Sequence, residues 1–468
     1  MTKLAKPQAP VSTTNACRMC MPLGACLAFA GMERTLPFLH GSQGCSTYMR
    51  RYLISHFNEP LDIASSSFGE ASTIFGGEGN LRAGLANVQA VYQPDLIGVA
   101  TTCLTETIGE DTARLLRQIA GEDGDLPALV FVPTPSFAGT HTDGYQAAIG
   151  ATIAALAEGG PRGERLALLP GIVSAADLRH LRELVAAFGI EATLLPDYSD
   201  TLDGPATADY HKLPPGGTPL EAIRALGRSA AAIALGGLAA PGVKTGATVL
   251  EERFATPVMR LPLPIGVRLT DRFLDALGEL VVQPSRLLAG GTPAPQEGKP
   301  LPESLAAERG RLIDAYVDGH KYLSGKRAVV FGDDDLVVGL AAFLAEIGVQ
   351  PVVCAGGGRT GKLREAILDA APELEGRITV LEDTDFERIG AAAEEAAPDL
   401  FVGHSKGYHL ARRLELPLIR VGLPIHDRLG GQRIAHLGYR GAQQLFDRIV
   451  NTLLERAQDA SPVGYSYM

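Results

Sequence analysis

The chain has 468 residues, 46% hydrophobic and 20% charged, with no Trp, and its 42 basic against 53 acidic side chains leave a net charge of −11. That balance excludes a nucleic-acid backbone reader, which needs a basic surface to displace counterions, and equally a polybasic membrane-surface binder. No apolar run approaches the roughly 18–20 residues that span a bilayer, and residues 1–16 carry neither an apolar signal core nor a small-residue cleavage site. A cytoplasmic protein with no membrane and no nucleic-acid partner is therefore expected.

At roughly 100–200 residues per domain the length allows two to four domains. Six cysteines do not make a disulfide scaffold in a chain this long, and clustered cysteines in a cytosolic protein read as metal-binding or catalytic. Cys17, Cys20, Cys26, Cys45 and Cys103 all fall in the first 103 residues, and only Cys354 lies beyond.

From about Tyr92 onward short apolar runs alternate with amphipathic stretches, the pattern of βα units in a mostly parallel, doubly wound sheet. Strands are expected at 96–100, 128–132, 166–169, 192–195, 231–235, 258–261, 327–331, 351–354, 378–381, 399–402 and 417–421. Between them, residues 175–188 place Leu178, Leu181, Leu184 and Val185 on one helical face, and Gly189 supplies the stop. Eleven strands exceed one sheet of usual size. The fold class expected is α/β, three doubly wound αβα domains over 1–162, 163–324 and 325–468. Residues 290–302, rich in Pro and Gly, read as a connection leading into a helix over 303–323.

Three thiols stand beside Gly, Pro or small polar residues: Cys20 in CMPLGA, Cys45 in HGSQGC and Cys103 in TTCLTETIGED. Cys103 follows a strand at its carboxyl end, where open α/β sheets place ligands. Gly41 and Gly44 would let backbone N–H groups approach an anion. Thiolates far apart in sequence, each on a loop, suit a bulky cluster better than zinc, although the Cys17–Cys20 CxxC pair keeps zinc and redox readings open. Ser136 in PTPSFAGTH falls on the same rim as Cys103; alone it reads as a turn former, with no Gly-x-Ser-x-Gly elbow around it.

Residues 356–363, GGGRTGKL, have the placement of a phosphate loop, but Leu363 stands where a hydroxyl must meet magnesium, and a tight turn is the plainer reading. His404 with Lys406, and His426 with Asp427 and Arg428, follow C-terminal strands without metal-ligand spacing; satisfied polar groups are the plainer reading, a cleft lining the other.

Taken together, HGSQGC, CMPLGA, TTCLTETIGED and PTPSFAGTH resemble the β-type subunits of nitrogenase component 1. SSSFGEASTIFGG, the Leu263 to Val267 segment before Thr270 and Asp271, and PLIRVGLPIHDR followed by LGYRGAQQL extend the likeness through most of the chain. HGSQGC is similar to the β side, since α-type subunits usually read HGPVGC there. The resemblance implies an oxidoreductase subunit with no catalytic residue of its own, assembled with an α-type partner into an α2β2 heterotetramer. It implies electrons delivered by a homodimeric, ATP-hydrolysing iron protein.

The positions that match the family's interfacial [8Fe-7S] P-cluster ligands are Cys20, Cys45, Cys103 and Ser136, three thiolates and a hydroxyl for the oxidised cluster. A scaffold chain for iron–molybdenum cofactor assembly, holding a [4Fe-4S] cluster, is the alternative within the family; RMCMPLGA and STYMRR resemble it. The short arm before Cys20 and the extra Cys17 depart from the P-cluster pattern, which brings in methylthio-alkane reductase, cleaving C–S bonds in small thioethers, beside dinitrogen reduction.

Overall fold

The computed structural model describes residues 16–122, 124–282 and 301–462. Thirteen strands among them form three sheets, and every strand pairing is parallel. In the first, β1 (Thr35–His40), β2 (Ala64–Ser65), β3 (Leu96–Thr101) and β4 (Ala128–Val132) run in the order β2-β1-β3-β4. In the second, β5 (Leu166–Leu169), β6 (Ala192–Leu194), β7 (Ala231–Leu235) and β8 (Val258–Leu261) run β6-β5-β7-β8. The third has β9 (Arg327–Gly332), β10 (Gln350–Gly356), β11 (Thr379–Leu381), β12 (Leu400–Gly403) and β13 (Leu418–Arg420), ordered β11-β10-β9-β12-β13. Each is a doubly wound α/β sheet, as the alternation of apolar runs implies. No described helix is long and apolar enough to cross a membrane.

All eleven expected strands are present, with ends shifted by at most two residues. The helices Ala175–Ala187 and Glu303–Leu323 stand where expected, and Gly189 takes the left-handed conformation that stops the first. The expected connection over 290–302 lies almost wholly outside the described residues. The sequence pattern missed β1 and β2. TLPFLH carries Pro37, which argues against a central strand. Here β2 pairs only with Phe38 and Leu39, so no strand flanks Pro37 on that side.

The helix Met21–Ala30 is buried at all ten positions, as a helix apolar all round must be. It packs against the helix His141–Leu156 so closely that a Cβ on Gly24 would lie 1.7 Å from the His141 carbonyl oxygen, and one on Gly144 would lie 1.9 Å from that of Met21. On its other side Phe29 lies over Gly98 of β3.

Asp333, Asp334 and Asp335 stand together at the start of the helix Asp334–Glu346. Asp333 Oδ1 lies 2.7 Å from His141 Nε2, Asp334 accepts from the Gly358 N–H at 3.2 Å, and Asp335 accepts from Gly237 at 2.8 Å and Leu238 at 3.1 Å. Asp333 thus reaches the helix that follows β4, Asp335 the loop that follows β7, and Asp334 the loop after β10 of its own sheet. A second tie is His56 of the helix Gln43–Phe57, whose Nδ1 accepts from the Ile425 N–H at 2.9 Å.

Burial, then the nearby His426, pushes the His56 pKa down to about 3. The folded pKa lies below the unfolded value, so the folded chain binds fewer protons in acid. The stability is full above about pH 6.5 and falls by about 1.4 kcal/mol per pH unit toward pH 3. His56→Asn keeps an acceptor but not the titration, so its destabilisation at pH 7.5 should shrink by about 1 kcal/mol at pH 5.5 in denaturant unfolding.

Candidate functional site

β1 and β3 lie side by side with His40 opposite Thr101, so Gly41 and Thr102 leave the sheet together. The chain after β1 passes to β2 on one flank while β3 lies on the other. This is the crevice at which doubly wound sheets hold ligands. Cys45 sits in the first turn of the helix Gln43–Phe57, and Cys103 opens the short helix Cys103–Thr107. Ser136 follows β4, and its N–H donates to Cys103 Sγ at 3.3 Å. Cys20 comes from outside the sheet, as the N-cap residue of the helix Met21–Ala30, bridged to Thr140. The Met21 N–H donates to Ser136 Oγ at 3.1 Å. Ser136 therefore links the Cys20 and Cys103 segments directly.

Burial, then the neighbouring thiols of Cys20 and Cys103, raises the Cys45 pKa, so the three sulfurs share one electrostatic neighbourhood. They are partly exposed, whereas Cys17, Cys26 and Cys354 are buried. Among the described residues no group of three or more His, Cys, Asp or Glu side chains closes round a single metal ion. Three soft donors and a hydroxyl on separate segments would suit an iron–sulfur cluster better than a single metal ion.

Three expectations change. The cysteines are held by helix N-termini and not by open loops. Gly41 is not an anion cradle: its N–H donates to Ser66 Oγ at 2.8 Å and that of Ser42 to Thr102 Oγ1 at 3.4 Å. Gly41 instead permits contact, with a φ of +140° and a would-be Cβ 2.0 Å from Thr102 Oγ1. The Cys17–Cys20 pair is split in environment, with Cys20 partly exposed and Cys17 enclosed. Cys17 is buried with Phe331 and Phe386, 3.8 Å from His404 Nε2, and burial pushes its thiol up to about 12. A protonated, enclosed thiol is inert.

Sequence reasoning missed His40 and Glu110, both inside quoted motifs. His40 Nε2 lies 2.6 Å from Glu110 Oε2, its Nδ1 3.0 Å from Ser66 Oγ, and Glu110 Oε1 accepts from the Gly77 N–H at 2.5 Å. Burial lowers the His40 pKa against the opposing pull of Glu110. The signal was present, because a His closing a buried strand needs a polar partner.

The glycine loop after β10 is filled by the protein itself. Asp334 takes the Gly358 N–H at 3.2 Å, and Glu382 takes those of Gly361 at 2.7 Å and Leu363 at 3.0 Å. Carboxylates occupy the amides that a phosphate would need. Calorimetric titration of the partner-bound chain with MgATP, iron protein absent, should give no saturable heat. His426 is held by Ser55 Oγ at 2.5 Å and packs its ring on Tyr52, while Asp427 pairs with Arg420, so these residues join elements instead of lining a free site.

The family model described as nitrogenase component 1 type oxidoreductase matches residues 20–454. The nitrogenase molybdenum-iron protein beta chain of Clostridium pasteurianum is 34% identical, covering 95% of this chain and 94% of its own length. That of Methanococcus maripaludis is 36% identical, covering 93% of each. That of Rippkaea orientalis is 37% identical, over 95% of this chain and 84% of its own. The solved structure titled nitrogenase Cp1 at pH 6.5 superposes with a TM-score of 0.89 at 31% identity, covering 100% of this chain and 98% of that one.

Proposed function

The chain belongs to the nitrogenase component 1 type oxidoreductases, and from that premise we propose that it is the β-type, electron-relay subunit of a reductase of this family. Cys20, Cys45 and Cys103 supply thiolates to an [8Fe-7S] P-cluster shared with an α-type partner in an α2β2 heterotetramer. Ser136 supplies a hydroxyl to the oxidised cluster. The observation that carries this reading is the link through Ser136, which accepts beside Cys20 and donates to Cys103.

When bound, the cluster passes low-potential electrons from an ATP-hydrolysing iron protein toward the partner's metallocofactor. The chain's own part is to place three sulfurs from three segments, to donate the Ser136 N–H to one of them, and to exclude water. Hydrogen bonds to sulfur and loss of solvent set the potential of such centres. Phe137 beside Ser136 is 61% exposed in the single chain, and Ile74 and Phe75 are 73% and 87% exposed. Apolar surface of that kind is suited to cover by another chain.

Substrate reduction takes place on the partner, and the relay role holds for dinitrogen and for small thioethers alike. The test is turnover of the purified complex with its iron protein and MgATP, assayed for ammonia from dinitrogen and for alkane and thiol from a methylthio-alkane. Turnover of either supports the reading. An iron-loaded complex that reduces neither, yet transfers a cofactor to an apoprotein, would make the chain an assembly scaffold with a [4Fe-4S] cluster.

A further inference from the structure

Resting on the reading of Cys20 as a cluster ligand, we propose that Lys406 is a positioning residue for the cluster. It pins the strap that delivers Cys20 and sets a buried positive charge behind it.

Residues 16–20 run across the carboxyl edge of the third sheet and are gripped at every position before the cysteine. Lys406 Nζ donates to the carbonyl oxygens of Ala16 and of Arg18, the latter at 3.0 Å. The Cys17 N–H donates to the Thr384 carbonyl at 3.0 Å, and Arg18 pairs with Asp383, which also pairs with Arg359. The Met19 N–H donates to His141 Nδ1 at 3.3 Å, and the His141 N–H returns to the Met19 carbonyl at 3.1 Å. Since Nδ1 accepts, Nε2 carries the ring hydrogen, and the Nε2 atom lies 2.7 Å from Asp333 Oδ1. A Cβ on Gly357 would lie 2.1 Å from the Cys17 carbonyl oxygen, so the glycine loop is shaped to let the strap down onto it.

Among these anchors Lys406 is the one that combines two strap acceptors with a charge. Its ammonium is fixed on the Arg18 carbonyl, two residues before Cys20; burial lowers its pKa, and the Cys17 and Cys20 thiols act in the opposite direction. A fixed positive charge near a thiolate-bound cluster favours the reduced, more negative form, and in a water-poor site that effect is poorly screened. Lys406, in the turn after β12, thereby acts on a cluster assembled at the edge of the first sheet. This gives GHSKG a function that its spacing did not reveal.

The experiment uses the complete complex, purified without oxygen, with Lys406→Met, Lys406→Gln and Lys406→Arg. Three quantities are read: iron per complex, the cluster midpoint potential by EPR-monitored redox titration, and hydrogen exchange of the strap amides. The Met variant should retain iron, titrate at a more negative potential and exchange its strap amides about tenfold faster, as expected for loss of a charge-assisted hydrogen bond. Arg should restore both properties. Gln, which keeps a donor and loses the charge, should shift the potential with less effect on exchange, and it decides the matter if the Met variant fails to assemble. Unchanged potential and strap exchange in an iron-loaded Gln or Met complex would overturn the proposal. A wild-type complex without iron would instead overturn the cluster reading beneath it.

Discussion

Cys103→Ala, purified with its partner, loses iron and reduces substrate more than about 100-fold more slowly, beyond the usual cost of losing an outer partner of a metal ligand. Cys103 stands at the switch point of the first sheet and receives the Ser136 N–H at 3.3 Å. Its removal takes away one donor and leaves that N–H without its sulfur. The side chain is only partly buried, so the thermal unfolding of the chain should change little. Equal loss of iron and of fold would show a structural thiol, and full iron content would remove Cys103 from the ligand set. Ser136→Ala is milder. It deletes the acceptor for the Met21 N–H, so iron should be retained in the reduced complex and the change confined to the oxidised state, read by Mössbauer spectra of both.

Gly24→Ala should have the largest effect on the fold. The added Cβ meets the His141 carbonyl oxygen at 1.7 Å, and neither atom belongs to a flexible side chain, so two buried helices must part. Overpacking of this kind costs about 3 kcal/mol or more. The helix that moves begins at Met21, next to Cys20, and its partner begins at His141, which grips Met19. Iron occupancy should therefore fall together with the melting temperature. Gly121→Ala is the control, because a Cβ there meets nothing within 4 Å and sits in a helix. It should leave stability unchanged or raise it by a few tenths of a kcal/mol. A Gly24→Ala chain as stable as this control would contradict the close helix packing.

Much of the architecture was legible because the inner strands β5, β7, β9, β10 and β12 are buried, largely apolar runs bounded by turn residues. The first sheet was less legible. β1 contains Pro37 and ends in His40, and β2 is two residues long, so neither has the pattern of a central strand. The ligand candidates could be read because thiols beside glycines stand out in a chain with few cysteines. Their supports could not. His40 with Glu110, His141 with Asp333, and Lys406 with residues 16 and 18 join positions 70 to 390 residues apart, and no local periodicity records such pairs. Gly24 and Gly144 were also silent, since a glycine in a helix pattern looks like weakness until the partner helix is in place.

The measurement that tests the central claim most directly is Mössbauer spectroscopy of the iron-57-labelled complex, isolated without oxygen with the α-type partner, in reduced and oxidised states. An eight-iron P-cluster signature that changes on oxidation, and is altered by Ser136→Ala in the oxidised state alone, is the predicted result. A simple four-iron spectrum insensitive to Ser136 would contradict the relay assignment and place the chain on the cofactor-assembly side of the family.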